Sequence, residues 1–235
     1  MRILAIETAT ASSSVALGRG REVVATTRRV DRRGHVGFLV PALEFCFSQA
    51  GWRPADIDVI AVDVGPGLFS GIRAGLATAQ ALAGAIGAPI LPVTSTDVVA
   101  LRAATTHRRI WPVVDVRRGE VAVAPYQPVP GGVVREGPVE LVTPDQFRAM
   151  VESDRRDGLV VGDWPVFGEG LFRGVHGIRT ARPRYPSAEA VLDVAEGRAG
   201  RDEFPHPDEL RPLYLREPDV AINWSDFRSE GRWGQ

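Results

Sequence analysis

Glu7, Thr8 and Thr10, followed by Ser12, Ser13 and Ser14, are the first residues whose types and spacing could do chemistry: a carboxylate and a row of hydroxyls between two apolar runs. A turn of that composition can hold the phosphates and Mg²⁺ of a nucleotide, but hairpin turns are also polar for ordinary reasons, and both readings stand. Gly65-Pro66-Gly67 is a second candidate. It lies between an apolar run and a helical pattern, where free amides and the helix dipole attract phosphate; strand-to-helix turns also use Gly and Pro for geometry alone, and that reading is preferred. Ser70 stands in the order G-x-x-S-G rather than G-x-S-x-G, so it reads as a helix N-cap and not as a nucleophile. Asp115, Arg117, Arg118 and Glu120 can pair with one another or with a partner. His35, His107, His176 and His206 lie far apart with no H-x-x-x-H or H-E-x-x-H spacing, so no metal site is expected.

Composition removes other chemistries. The 28 basic residues are all arginine. Without lysine there is no Walker-type phosphate loop, no Schiff-base enzyme and no protein-kinase chemistry. Cys46 is the single cysteine, which excludes an intramolecular disulfide and a multi-thiolate zinc site and fits a reducing compartment. A formal net charge of −1, with Arg scattered among Asp and Glu, presents no basic face for nucleic acid. No apolar run reaches membrane-spanning length and MRILAIETAT lacks a signal-peptide pattern, so a cytoplasmic protein is expected.

The elements that must position these residues emerge from periodicity. Residues 2–7, 13–18 and 22–30 read as three antiparallel strands. Residues 35–51 form a helix with Leu39, Leu43, Cys46 and Ala50 on one stripe, Pro41 in its first turn and few polar positions. A buried, parallel strand over residues 57–65 leads into a helix reaching Ile86, with Phe69, Ile72, Leu76, Ala79, Ala83 and Ile86 facing a core. Beside that stripe run Gly71, Gly75, Thr78, Leu82 and Ala85, small residues that let another backbone approach. A strand over 88–93 precedes a helix capped by Thr94 or Ser95. A second unit then opens on the same plan: an apolar strand over 110–114, an acidic residue, a turn and a strand over 120–126. A capped helix over 143–151, a strand over 159–162 and a helix over 187–196 come next, and the tail after Pro205 is an extended strap. The pattern is a duplicated βββαβα core in two lobes.

Five stretches, ILAIETATASSSVAL, RGHVGFLVPALEFCFSQAG, AVDVGPGLFSGIRAGLATAQALA, VVDVRRGEVAVAPY and PLYLREPDV, resemble the TsaB (YeaZ) family. The resemblance implies an α/β, two-lobed actin-like ATPase fold of the Hsp70 and sugar-kinase type with the second lobe reduced. It divides the chain into 1–105, the lobe with partner-binding helices, and 106–235, the second lobe and tail. It implies a non-catalytic subunit in the synthesis of N6-threonylcarbamoyladenosine (t6A) on tRNA, a partner of the TsaD transferase and of the ATPase TsaE, with tRNA reached through the complex. The two long helices would meet the partner's equivalents through His35, Phe38, Leu39, Ala42, Phe45, Cys46, Gly71, Ala74, Gly75, Thr78, Leu82 and Ala85, and would form a homodimer when TsaD is absent. TsaD-type proteins hold metal through an H-x-x-x-H pair; here Leu39 stands four residues after His35, so no metal is implied. Family members usually carry Asp where Glu7 stands, which weakens a nucleotide role for Glu7, Thr8, Thr10, Gly65 and Gly67. No intrinsic cofactor is expected, with ATP or ADP and Mg at the complex interface. The alternative is an ATP-hydrolysing or glycopeptidase-like enzyme acting alone.

Overall fold

The computed structural model describes residues 1–31, 35–168, 170–182, 184–200, 204–205 and 210–215, without the side chains of residues 35 and 36. Most of the tail expected as an extended strap therefore lies outside the described residues. β1 (Arg2–Glu7), β2 (Ser12–Arg19) and β3 (Glu22–Val30) form an antiparallel meander, and β4 (Val59–Asp63) and β5 (Ile90–Val93) extend it in parallel on the other side of β1. The order is β3-β2-β1-β4-β5. β1 and β4 are apolar along their lengths because helices cover both faces, as parallel strands require.

On one face lie α1 (His35–Ala50) and α2 (Phe69–Ile86). Leu39, Ala42, Leu43 and Cys46 of α1 and Leu76, Ala79 and Ala83 of α2 close over Leu4, Ile6, Ile60 and Val62. α2 stops at Gly87, which adopts φ 73° and returns its N–H to the Ala83 carbonyl, a left-handed cap that glycine permits. α1 starts early enough that Pro41 falls in the second turn, not the first; the missing bond would have gone to Gly37, which is exposed and can use water.

α3 (Ser95–Leu101), capped by the Thr94 hydroxyl accepting the Asp97 N–H, leads to the second sheet. That sheet contains β6 (Arg109–Asp115), β7 (Val121–Val123), β8 (Tyr126–Val129), β9 (Gly132–Arg135), β10 (Glu140–Val142), β11 (Gly158–Gly162) and β12 (Ile178–Thr180). Its path is β10-β7-β6-β11-β12, with the same parallel and antiparallel sequence as the first sheet once β8 and β9 are set aside as an inserted hairpin. α4 (Pro144–Ser153), with a Thr143/Gln146 capping box, stands where α1 stands in the first lobe. Between β11 and β12 the counterpart of α2 has shrunk to the 3-10 turn Trp164–Phe167. The duplication is therefore real and the second copy is the reduced one.

α5 (Ala188–Ala199) crosses back over the expected division at residue 106 and packs its Val191, Leu192 and Ala195 against Ile3, Ala5 and Ala16 of the first sheet. α3 shares that middle layer, with Val98 facing the first sheet and Val99 and Ala100 the second. Asp97 of α3 pairs with Arg198 of α5 at 2.7 Å and accepts the Tyr126 hydroxyl of β8 at 2.7 Å, which ties the two lobes through one carboxylate.

Candidate functional site

Glu7 ends β1 and Asp63 ends β4, and the parallel register that sets Ile6 beside Val62 brings the two carboxyls to neighbouring strand ends. Both are 0% exposed. Glu7 Oε1 accepts the Ala9 N–H at 2.9 Å, and Asp63 Oδ1 accepts the Gly65 N–H and the Ser95 hydroxyl at 2.8 Å each. The second oxygen of each has no hydrogen-bond partner. Burial, then the proximity of Asp63, raises the Glu7 carboxyl well above the usual carboxylate range, against the backbone amides of Ala9 and Thr10 and the Arg28 charge. Burial likewise pushes Asp63 up to about 7, opposed by the Gly65 amide and Ser95.

The turn offered by the sequence as a phosphate and Mg²⁺ site is filled by the protein itself. Glu7, Thr8 and Thr10 are buried, as is Gly65, and Gly67 is half-buried. A Cβ on Gly67 would collide with the Ala9 carbonyl, and the Leu68 N–H donates to that carbonyl at 2.6 Å. The Thr8 hydroxyl donates to the Gly71 carbonyl at 2.7 Å, Ser12 Oγ accepts from Arg28 at 2.8 Å and Ser14 Oγ accepts the Ala188 N–H at 2.9 Å. The hydroxyl row thus fastens the turn to α2, β3 and α5, and Gly67 admits the Ala9 backbone, as the geometric reading of the Gly65–Gly67 turn expects. Ser70 is exposed and does not cap: Leu68 is the N-cap of α2 and supplies no side-chain bond.

Asp115 ends β6 and Asp163 comes directly after β11, the strand positions held in the first lobe by Glu7 and Asp63. This pair is only partly buried and lines a cavity of about 250 Å³ between the lobes. Its walls include Arg117 and Arg184 from the second lobe and Ala11 and Leu68 from the first. Asp163 Oδ2 accepts the Asp115 N–H at 3.2 Å, and Asp115 Oδ1 accepts the Arg117 N–H at 2.8 Å. Arg117 and Arg118 hold φ of 71° and 60° beside Gly119 at 75°, an uncommon run of left-handed residues that shapes this turn.

The expected docking stripe divides. Leu39, Ala42 and Cys46 belong to the core between α1 and the first sheet, so they cannot meet a partner. Gly71 and Gly75 also turn inward: a Cβ on Gly75 would strike the Thr8 hydroxyl. Small residues on α2 did invite a close backbone, but it is the chain's own β1–β2 turn. Phe38, Ala74, Thr78 and Leu82 are half-buried, Phe45 and Ala85 are exposed, and the His35 side chain lies outside the described residues. Phe69, placed in the core by periodicity, is 40% exposed and stacks on Tyr214 at 5.0 Å with the Arg73 guanidinium 3.6 Å from its ring centre. Val40 of α1, at 59%, was also missed.

Asp63, Asp163 and Arg184 are the site residues that sequence reading passed over. The available signal for Asp63 was an acidic residue closing an apolar strand, already visible at Glu7 and Asp115. Among the described residues no cluster of three or more His, Cys, Asp or Glu side chains could hold a metal ion.

Two lobes of one strand order with helices between and outside them define a two-lobed actin-like ATPase fold. Solved structures agree: an uncharacterized Pseudomonas aeruginosa protein with similarity to peptidase YeaZ superposes with TM-score 0.77 at 26% identity, covering 92% of this chain and 99% of that one. P. aeruginosa YeaZ superposes with TM-score 0.74 at 24% identity, covering 91% of this chain and all of that one. In sequence, the tRNA threonylcarbamoyladenosine biosynthesis protein TsaB of Bacillus subtilis is 32% identical over 95% of this chain and 98% of its own length. TsaB of Escherichia coli is 30% identical over 92% and 95%. The family description TsaD, tRNA N6-adenosine threonylcarbamoyltransferase, matches residues 24–134. The chain belongs to the TsaB (YeaZ) family.

Proposed function

We propose that this chain is a non-catalytic subunit of the t6A synthesis machinery, which docks a TsaD-type transferase through the outer surface of α1 and α2 and activates it. The observation that carries the reading is the exposure of large apolar side chains on that helix pair: Val40 at 59%, Phe45 at 49% and Phe69 at 40%. Exposed apolar groups at that density mark an interaction surface rather than a solvated one. Ala77, Ala81 and Ala85 continue the exposed side of α2 and leave room for a partner helix. The sealed Glu7–Asp63 pair supports a partner role over hydrolysis by this chain alone, since neither carboxyl reaches solvent.

In this reading TsaE joins the same assembly, tRNA is reached through it, and ATP or ADP with Mg lies at the interface rather than in the β1–β2 turn. The work is done in the cytoplasm; among the described residues no helix is long and apolar enough to cross a membrane. Without TsaD the same surface closes on a second copy of the chain.

Reconstitution of threonylcarbamoylation on a tRNA substrate, with and without this chain, tests the proposal. Activity is expected to need the chain, and Phe45→Glu or Ala81→Arg is expected to weaken co-elution with TsaD by about tenfold or more. Full activity without the chain, or an intact complex in both variants, would sink it. ATP turnover by the isolated chain, lost in Glu7→Ala, would favour the lone hydrolase instead.

A further inference from the structure

Phe69 and Arg73 stand four residues apart on α2 and share one face of it. Both are exposed. A strap over residues 210–215 passes the turn that enters the helix, with Leu210 buried in the core under α1 and α2 and the Leu213 N–H donating to the Val64 carbonyl at 2.8 Å. These attachments set the half-buried Tyr214 ring on Phe69, with centroids 5.0 Å apart and planes 27° from parallel. The guanidinium carbon of Arg73 lies 3.6 Å from the Phe69 ring centre and 5.7 Å from that of Tyr214, and its Nε donates to the Tyr214 hydroxyl at 2.7 Å. Among the described residues no carboxylate pairs with Arg73, and its two terminal nitrogens make no hydrogen bond.

A guanidinium in water needs no further partner. Covered by another protein, it does. A partner that buries Phe69 also strips water from Arg73, because charge and ring are in contact, and a desolvated charge without a counter-charge is strongly unfavourable. One neutral phenol and two ring faces do not offset that loss. A carboxylate does, through paired N–H donors from the terminal nitrogens that Tyr214 leaves open. The two rings and the Tyr214 hydroxyl also hold the long side chain in one place before binding, which lowers the ordering cost that an arginine otherwise brings to an interface. We propose that Arg73 is the charged anchor of the α1–α2 docking surface, that it receives a carboxylate of the partner subunit, and that Tyr214 is the residue that positions it. This rests on the docking reading above and adds the chemistry that the partner must present.

Titration calorimetry of the full chain against the cognate TsaD-type transferase tests it, with Phe45→Glu as the control for docking itself. Arg73→Met keeps the apolar stem and removes the charge, so a partner carboxylate is left buried and unpaired and affinity is expected to fall about tenfold or more. Without such a carboxylate the same variant sheds a desolvation cost, and binding equal to or tighter than that of the parent would overturn the proposal. Raising salt from about 50 to about 500 mM is expected to weaken the parent more than Arg73→Met; equal salt dependence counts against a carboxylate. Tyr214→Phe keeps the stack and loses the acceptor, so weakening of about threefold is expected in the parent and none in an Arg73→Met background. Equal losses in both backgrounds would overturn the positioning role. An intact complex in Phe45→Glu sinks the docking reading and the anchor with it, whereas a complex broken by Phe45→Glu and untouched by Arg73→Met sinks the anchor alone.

Discussion

The two lobes place acidic pairs at equivalent strand ends and treat them in opposite ways. In the first lobe Glu7 and Asp63 are fully buried, one oxygen of each held by backbone amides and, for Asp63, by the Ser95 hydroxyl, and the other left without a hydrogen-bond partner. In the second, Asp115 and Asp163 border a cavity in the company of Arg117 and Arg184. Strand order alone does not separate them. The difference lies in the segment after each strand: Gly67 lets the Ala9 turn press onto the start of α2, whereas the second lobe has a 3-10 turn at that point. One pair is enclosed by the chain, and the other borders an open cavity.

That contrast can be broken most forcefully at Gly67. Gly67→Ala is expected to cost more than about 3 kcal/mol, because its Cβ meets the Ala9 backbone carbonyl and neither side can yield cheaply. Urea unfolding measures it; a loss under about 1 kcal/mol would mean that the enclosure is loose.

The next effect is a pH dependence dominated by the first pair. Folding raises Asp63 from its ordinary 3.8 to about 7 and raises Glu7 as well, so the native state binds more protons than the unfolded chain. The stability that Asp63 contributes is therefore fully present below its unfolded value and falls as pH rises through the window from about 4 to about 7, on the order of 4 kcal/mol, and Glu7 adds a loss of the same sign. Asp63→Asn keeps an acceptor for Gly65 and Ser95 and is expected to flatten most of that slope. Denaturation midpoints between pH 4 and 8 measure it, and an unchanged slope in Asp63→Asn would sink the idea.

Smaller effects sharpen the picture. Thr8→Val removes the hydroxyl that fastens the turn to the Gly71 carbonyl, and a loss of about 1–2 kcal/mol is expected by thermal unfolding. Gly119→Ala probes the matching turn of the second lobe. No heavy atom stands within 4 Å of the position its Cβ would take, so only the φ of 75° matters, and the cost is expected near 1 kcal/mol. If it equalled that of Gly67→Ala, the two turns would be equally constrained.

Periodicity located most elements because apolar spacing reports burial directly. The three-strand meander, both long helices and the strand between them are legible in residues 2–93, as is the Thr143 cap of α4. β9, β10 and β12 were not, being three or four residues long with little alternation to detect. The stripe on α2 was legible as small residues, but not whose backbone it admits. A helical wheel gives directions around an axis and carries no information about which of two close neighbours occupies each one. Phe69 shows the converse failure: its spacing matches the core stripe, yet it sits in the first turn, beyond the edge of the sheet's cover, and packs on Tyr214.

The amino-acid sequence by itself determined the plan: two copies of one strand and helix pattern, an acidic residue closing the leading strand of each, and a glycine turn before α2. These are local properties, set by side-chain type and spacing along the chain. Tertiary structure alone decided that the Gly65–Gly67 turn receives the Ala9 backbone, that α5 returns to the first sheet, and that the acidic pair at the second lobe's strand ends stays partly exposed. Each depends on which distant surface arrives first at an atom, and that is settled by packing between segments, not by the residues of either one.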